Sequence, residues 1–278
     1  MKENKPSRVL VNLIGVPSIL LIIYLGDTFL NIPLFSIFVA IVLFLGAKEI
    51  SIFAKDKDAR PIIELLFVFI AIIQLDRHPL INWDIPLEIT ILSLFLITMI
   101  LEIFRNEKKP LLNISIIFFS FIWLGIMLGS LSELRNLPEY GFRITIALFL
   151  SVWICDTAGF LFGKKFGIKK IIPLVSPNKT WVGTVAGFIS SILFLLILYF
   201  SNFFSNMLYL MDILFIGIFT GGFGQLGDWG ESLLKRESKI KDTSNFLKGH
   251  GGVLDRFDSL AYAAPLTLIY CKYFIEIG

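Results

Sequence analysis

Long apolar blocks separated by short polar segments dominate this chain. Nine blocks are long enough to cross, or nearly cross, a bilayer: about residues 9–26, 29–47, 62–78, 86–104, 111–131, 143–163, 181–201, 206–226 and 260–277. Counted from the N-terminus, alternate polar segments hold 21 of the 25 Lys and Arg, and the intervening ones hold 3. Lys272 lies inside the last block. The positive-inside rule then places the N-terminus and the large polar loops in the cytoplasm and the C-terminus outside. The pattern predicts an all-α, polytopic membrane protein of about nine transmembrane helices, with its chemistry at the cytoplasmic face. The N-terminal MKENKPSRVL and the apolar run after it lack a small-x-small cleavage site, so the reading is a retained first helix.

Composition narrows the class. A hydrophobic fraction of 56% and a mean hydropathy of +0.80 exclude an ordinary soluble globule. The net charge of +3 is small, so its distribution matters more than its total. Cys155 and Cys271 lie in apolar runs and form neither a disulfide framework nor a metal-ligand spacing. No internal repeat or low-complexity tract is present. Glu49, Glu64 and Glu102 fall at cytoplasmic ends of blocks, where a carboxylate reaches water cheaply, and carry no functional reading. Residues 1–140 read as a scaffold of about five helices. Residues 141–278 read as the catalytic region, with a cytoplasmic loop at 227–259.

That loop is the longest polar segment. Gly227–Ser259 holds six basic residues (Lys235, Arg236, Lys239, Lys241, Lys248, Arg256) and six acidic ones (Asp228, Glu231, Glu237, Asp242, Asp255, Asp258), with a Gly-His-Gly-Gly turn at 249–252. Cations suited to phosphate beside carboxylates suited to a hard metal point to phosphoryl-group chemistry at a membrane surface. Asp228, Glu231, Ser232 and Lys235 are spaced i, i+3, i+4, i+7 and share one face of a helix over 228–239. Gly221, Gly222, Gly224 and Gly227 before them permit close helix approach. Asp255 and Asp258 repeat the i, i+3 arrangement where the ninth block begins. Two carboxylate pairs at two helix ends suit a divalent metal.

Two further clusters reach the same side. Asp156 lies eight residues before Lys164, about 12 Å along a helix from its polar end, a costly depth unless it faces the bundle interior with a partner. Gly159, Gly163 and Gly167 thin that helix. Ser176-Pro-Asn-Lys179-Thr180, just before the seventh block, offers hydroxyls, a cation and free N–H groups to a phosphate, or simply a helix N-cap with Trp181 as an interfacial anchor. His250 reads as a base, a phosphate donor or a turn residue, and the lack of nearby Cys or His argues against zinc. No Walker A motif occurs. A transporter would distribute polar groups along a midplane path, and a lipid-binding scaffold would not carry six carboxylates among its cations.

The run Ser232-x-Leu234-Lys235-Arg236-x4-Lys241-Asp242, followed by His250-Gly251-Gly252-Val253-x-Asp255-Arg256-Phe257-Asp258, resembles the signature of the phosphatidate cytidylyltransferase (CDP-diacylglycerol synthase) family. Asp156 and Ser176 to Thr180 resemble two further elements of it, so the motif resemblance covers about 155–260 and the N-terminal half is similar only in topology. The sequence departs from the family pattern at Lys164, Val182 and Lys248, where Arg, an acidic residue and Pro are common. The resemblance implies Mg²⁺-dependent transfer of CMP from CTP to phosphatidate, giving CDP-diacylglycerol and pyrophosphate in phospholipid biosynthesis. It implies metal binding by Asp228 and Asp255 with Asp258 in support, and phosphate positioning by Lys235, Arg236, Lys241 and Arg256. The substrate-binding set it implies is Asp156, Ser176, Lys179, Thr180, Ser232, Asp242, His250, Gly251 and Gly252. The phosphate nucleophile is already anionic, which weakens the case for His250 as a base. A related enzyme that phosphorylates a lipid alcohol with CTP is the nearest rival. The bilayer is an expected partner, in the cell (inner) membrane, and nucleic acid is not. A homodimer stays open, since no lipid-facing residue encodes a readable interface.

Overall fold

The computed structural model describes residues 5–27, 32–55, 57–81, 83–244 and 251–275. Among the described residues there is no strand, only an isolated antiparallel bridge between Lys170 and Thr180. The helices are α1 (Lys5–Leu25), α2 (Leu34–Lys55), α3 (Ile63–Asp76), α4 (Leu87–Arg105), α5 (Pro110–Arg135), α6 (Gly141–Phe166), α7 (Trp181–Phe200), α8 (Leu210–Glu237) and α9 (Leu254–Tyr273). Each overlaps one of the apolar blocks.

Among the described residues, six helices are long and apolar enough to cross a membrane, judged by length and composition: α2, α4, α5, α6, α7 and α8. Two of the others fall short for visible reasons. Helix α3 has 14 residues, a rise of about 21 Å against a hydrocarbon core of about 30 Å. Helix α9 opens on the charged stretch Asp255-Arg256-Phe257-Asp258.

Two helices change pitch. Helix α5 passes through a π-helical stretch at Phe121–Leu128, and α8 through one at Phe219–Phe223. Such stretches insert an extra residue per turn and re-aim the remainder of the helix. In α8 the wide turn meets a buried hydroxyl triad, with Ser151 2.7 Å from Ser191 and both bonded to Thr220 at 2.9 and 2.8 Å. Hydroxyls shared between apolar helices hold α6, α7 and α8 in register.

One apolar core runs through the bundle. Phe35, Leu43, Leu66, Phe121 and Phe149 are fully buried in it. Phe257 of α9 packs on Phe38 of α2 and Phe149 of α6. Helices α6 and α7 approach at backbone contact: a Cβ on Gly183 would lie 2.5 Å from the carbonyl oxygen of Gly159. Small residues permit that approach, and it draws the polar ends of α6 and α7 together.

Candidate active site

The polar end of α6, the segment at 167–180 and the second half of α8 enclose a cavity of about 470 Å³ lined by Asp156, Lys164, Lys170, Lys179, Thr180 and Gln225. Asp156 opens into it, which explains how an apolar helix carries a carboxylate so far from its end. The 167–180 segment folds back on itself, with Ile171 N–H donating to the Lys179 carbonyl (3.2 Å) and Trp181 N–H to that of Lys169 (3.1 Å). It ends at Thr180, whose hydroxyl accepts the Gly183 N–H at 3.2 Å and caps α7. The Thr180 hydroxyl is thus the N-cap that the sequence allowed.

Lys179 reaches out of this segment to an ion pair with Asp228 of α8. Burial pushes the Lys179 ammonium pKa down, and the Asp228 and Asp156 carboxylates more than offset it, leaving it raised.

Asp228, Glu231, Ser232 and Lys235 share a face of α8, as their spacing predicts, and Glu231, Ser232 and Lys235 are buried. Helix α9 touches this face because Gly227 lacks a side chain: a Cβ there would collide with the carbonyl oxygen of Asp258. Asp258 therefore lies beside Asp228 and Glu231. Burial first, then those two charges, hold its carboxyl well above the usual range. Glu231 Oε2 accepts from Lys235 at 3.0 Å. Its Oε1 is buried without a hydrogen-bond partner among the described residues, and the Asp258 carboxyl lies close to the Glu231 side chain.

Asp255 is occupied differently. Its Oδ1 accepts from Lys235 Nζ at 2.5 Å. Its Oδ2 accepts the N–H of Gly252 (2.7 Å), the N–H of Thr243 (3.1 Å) and the Thr243 hydroxyl (3.0 Å). Burial pushes the Asp255 carboxyl up, but Lys235 and these N–H groups hold it below its ordinary value. The carboxylate adjoining Asp228 is accordingly Asp258, while Asp255 faces Lys235. Among the described residues, no group of three or more Asp, Glu, His or Cys side chains is arranged to hold a metal. Asp228, Glu231 and Asp258 are nonetheless carboxylates, the ligand type a hard cation takes, and one Glu231 oxygen is buried without a hydrogen-bond partner among the described residues. Both Asp255 oxygens, by contrast, accept hydrogen bonds.

The remaining expected site residues spread outward. Arg236 Nε donates to the Val175 carbonyl at 3.0 Å and ties the end of α8 to the 167–180 segment. Ser176 is half-buried there, its N–H on the Ile172 carbonyl at 2.9 Å. Lys241 and Asp242 are exposed beyond α8, and Arg256 is exposed on α9 within electrostatic reach of Asp156. Gly251, with φ +77°, and Gly252 lead directly into α9. His250 and Lys248 lie outside the described residues.

Two glutamates depart from expectation. Glu102 is buried, not water-facing, and accepts from Arg105 (2.6 Å) and Asn113 (3.0 Å). Glu49 is 5% exposed and accepts four hydrogen bonds from the start of α9 and from Thr243 and Ser244. The sequence shows the need but not the residue that meets it: Val253 cannot cap α9 with its own side chain, so the first N–H groups of that helix take an acceptor from elsewhere. Glu64 is exposed, as expected.

The sequence matches the cytidylyltransferase family over residues 6–274. This chain belongs to that family. The match takes in the N-terminal half as well as the polar region. A phosphatidate cytidylyltransferase from Staphylococcus saprophyticus is 34% identical over 208 residues, covering 75% of this chain and 77% of that protein. One from Haemophilus influenzae is 35% identical over 176 residues, covering 61% and 60%. One from Bacillus subtilis is 36% identical over 166 residues, covering 58% and 60%.

Proposed function

We propose that this chain is a membrane-bound phosphatidate cytidylyltransferase that transfers CMP from CTP to phosphatidate in phospholipid biosynthesis. The observation that carries the reading is a cavity of about 470 Å³ with three lysines in its wall, joined through the Lys179–Asp228 pair to a buried carboxylate cluster. The relatives that share this family are named for the same activity.

In this reading a phosphate oxygen of phosphatidate attacks the α-phosphorus of CTP. A new P–O bond forms, the bond from the α-phosphorus to the α–β bridging oxygen breaks, and pyrophosphate leaves with that electron pair. The nucleophile is anionic, so no side chain has to remove a proton. Lys164, Lys170 and Lys179 are placed to hold phosphates, and exposed Arg256 lies within electrostatic reach of Asp156. Holding two polyanions in line supplies much of the rate. Mg²⁺, when bound, would neutralise charge on the transferring and leaving phosphates. Asp228, Glu231 and Asp258 are the residues to hold it, in preference to the Asp228 and Asp255 pair. Lys235, committed to Glu231 and Asp255, positions carboxylates more than it grips phosphate.

The test is purified protein in detergent with CTP, Mg²⁺ and phosphatidate. Pyrophosphate release that requires both CTP and phosphatidate is expected. Release that is indifferent to phosphatidate would overturn the assignment.

The same reading gives nine crossings, a cytoplasmic N-terminus and cytoplasmic active-site loops in the cell membrane, supported by the 21-to-3 division of Lys and Arg. A cysteine placed at Lys239, which lies just past α8 and is exposed, should resist impermeant thiol reagents added to intact cells. Labelling from outside would reverse the orientation.

A further inference from the structure

Helix α2 belongs to the half of the chain that reads as scaffold, yet its Glu49 reaches into the polar end of the C-terminal half. Glu49 Oε1 accepts from the Ser244 hydroxyl (2.6 Å) and the Val253 N–H (2.8 Å). Its Oε2 accepts from the Thr243 hydroxyl (3.0 Å) and the Leu254 N–H (2.9 Å). The carboxylate therefore joins residues 243–244 to residues 253–254 and satisfies two orphan N–H groups at the start of α9. Its negative charge also suits the positive end of that helix. The Thr243 hydroxyl stands 3.0 Å from both Glu49 Oε2 and Asp255 Oδ2, and its single hydrogen serves the two carboxylates. Asp255 in turn holds Lys235, and Lys235 holds Glu231.

We infer that Glu49 is a positioning residue for the transfer reaction, setting the start of α9 and, through Thr243, the orientation of Asp255. It is not a catalytic residue, because its hydrogen-bond partners among the described residues are Thr243, Ser244 and the backbone of Val253 and Leu254. The catalytic half of the inference rests on the cytidylyltransferase reading, while the geometric half does not. Glu49→Gln is the informative change: it keeps the volume but turns one acceptor oxygen into an NH₂ that faces donors.

Two readouts on the full-length protein in detergent test this. Hydrogen–deuterium exchange needs no substrate: in Glu49→Gln, amides at 252–255 should exchange faster than in wild type while those of α6 and α7 keep their protection. Turnover at saturating CTP and phosphatidate should fall on the order of tenfold, the scale for losing a supporting contact behind a reactive group. Thr243→Val leaves the backbone and Ser244 bonds to Glu49 in place, so it serves if Glu49→Gln fails to fold. It should lower turnover alone and add little in the Glu49→Gln background, because both act through one contact. Unchanged exchange at 252–255 in folded Glu49→Gln, wild-type turnover in Thr243→Val, or fully additive losses would each overturn the inference. A wild-type protein inactive on CTP and phosphatidate would remove the functional reading and leave the exchange result to decide the role of Glu49.

Discussion

Asp228→Asn should lower turnover at saturating CTP and phosphatidate by more than about two orders of magnitude, the scale of a lost electrostatic contact to a transition state. Asparagine keeps the shape of the side chain and removes its charge. The change strips Lys179 of its ion-pair partner and takes one anion from the group formed with Glu231 and Asp258. Asp258→Asn should have a comparable effect, since Asp258 sits against Asp228 at the Gly227 contact. Glu64→Gln, on an exposed side chain of α3, should turn over like wild type. Near-wild-type turnover of Asp228→Asn at ordinary Mg²⁺ would show that the cluster is architectural.

Lys235→Met should cause the largest loss of stability. The Lys235 side chain is 10% exposed and lies between Glu231, which is 0% exposed, and Asp255, at 9%. Methionine keeps much of the stem but leaves two buried carboxylates facing each other. Removing one partner of a buried ionic group costs about 3–5 kcal/mol, which for a chain of this size is a fall on the order of 10 °C in the thermal midpoint. Adding Glu231→Gln to Lys235→Met should recover part of that fall, because it removes one of the stranded charges. A midpoint for Lys235→Met equal to that of wild type would mean that water or a counter-ion reaches these carboxylates freely.

Much of the architecture is legible in the sequence because a bilayer demands long apolar blocks, and each block became helix. What a block cannot report is how it ends or bends. The run at 62–78 yields only the 14 residues of α3. The π-helical turns in α5 and α8 come from packing between helices, and the order of residues within one helix does not announce them.

The site divides along the same line. The i, i+3, i+4, i+7 spacing from Asp228 to Lys235 is local, and the face it predicts is the face observed. Pairings across elements are not local. Lys179 meets Asp228 because the 167–180 segment folds back on itself before α7, and Asp258 adjoins Asp228 because Gly227 lets α9 approach. Spacing treats Asp255 and Asp258 alike, whereas the structure gives one a lysine and the other a carboxylate neighbour. Glu49 lies 194 to 205 positions from its hydrogen-bond partners, a separation that no local pattern spans. Its location at the end of an apolar block resembles that of exposed Glu64, and only the fold distinguishes them.

Which part of CTP reaches the lipid decides the reaction. CTP labelled separately at the α- and γ-phosphates, incubated with the purified protein, Mg²⁺ and phosphatidate, answers this in one extraction. The α-label should enter the lipid phase as CDP-diacylglycerol, and the γ-label should remain in water as pyrophosphate. The γ-label appearing in lipid would mean that the enzyme phosphorylates its lipid substrate, and cytidylyl transfer would be the wrong reaction.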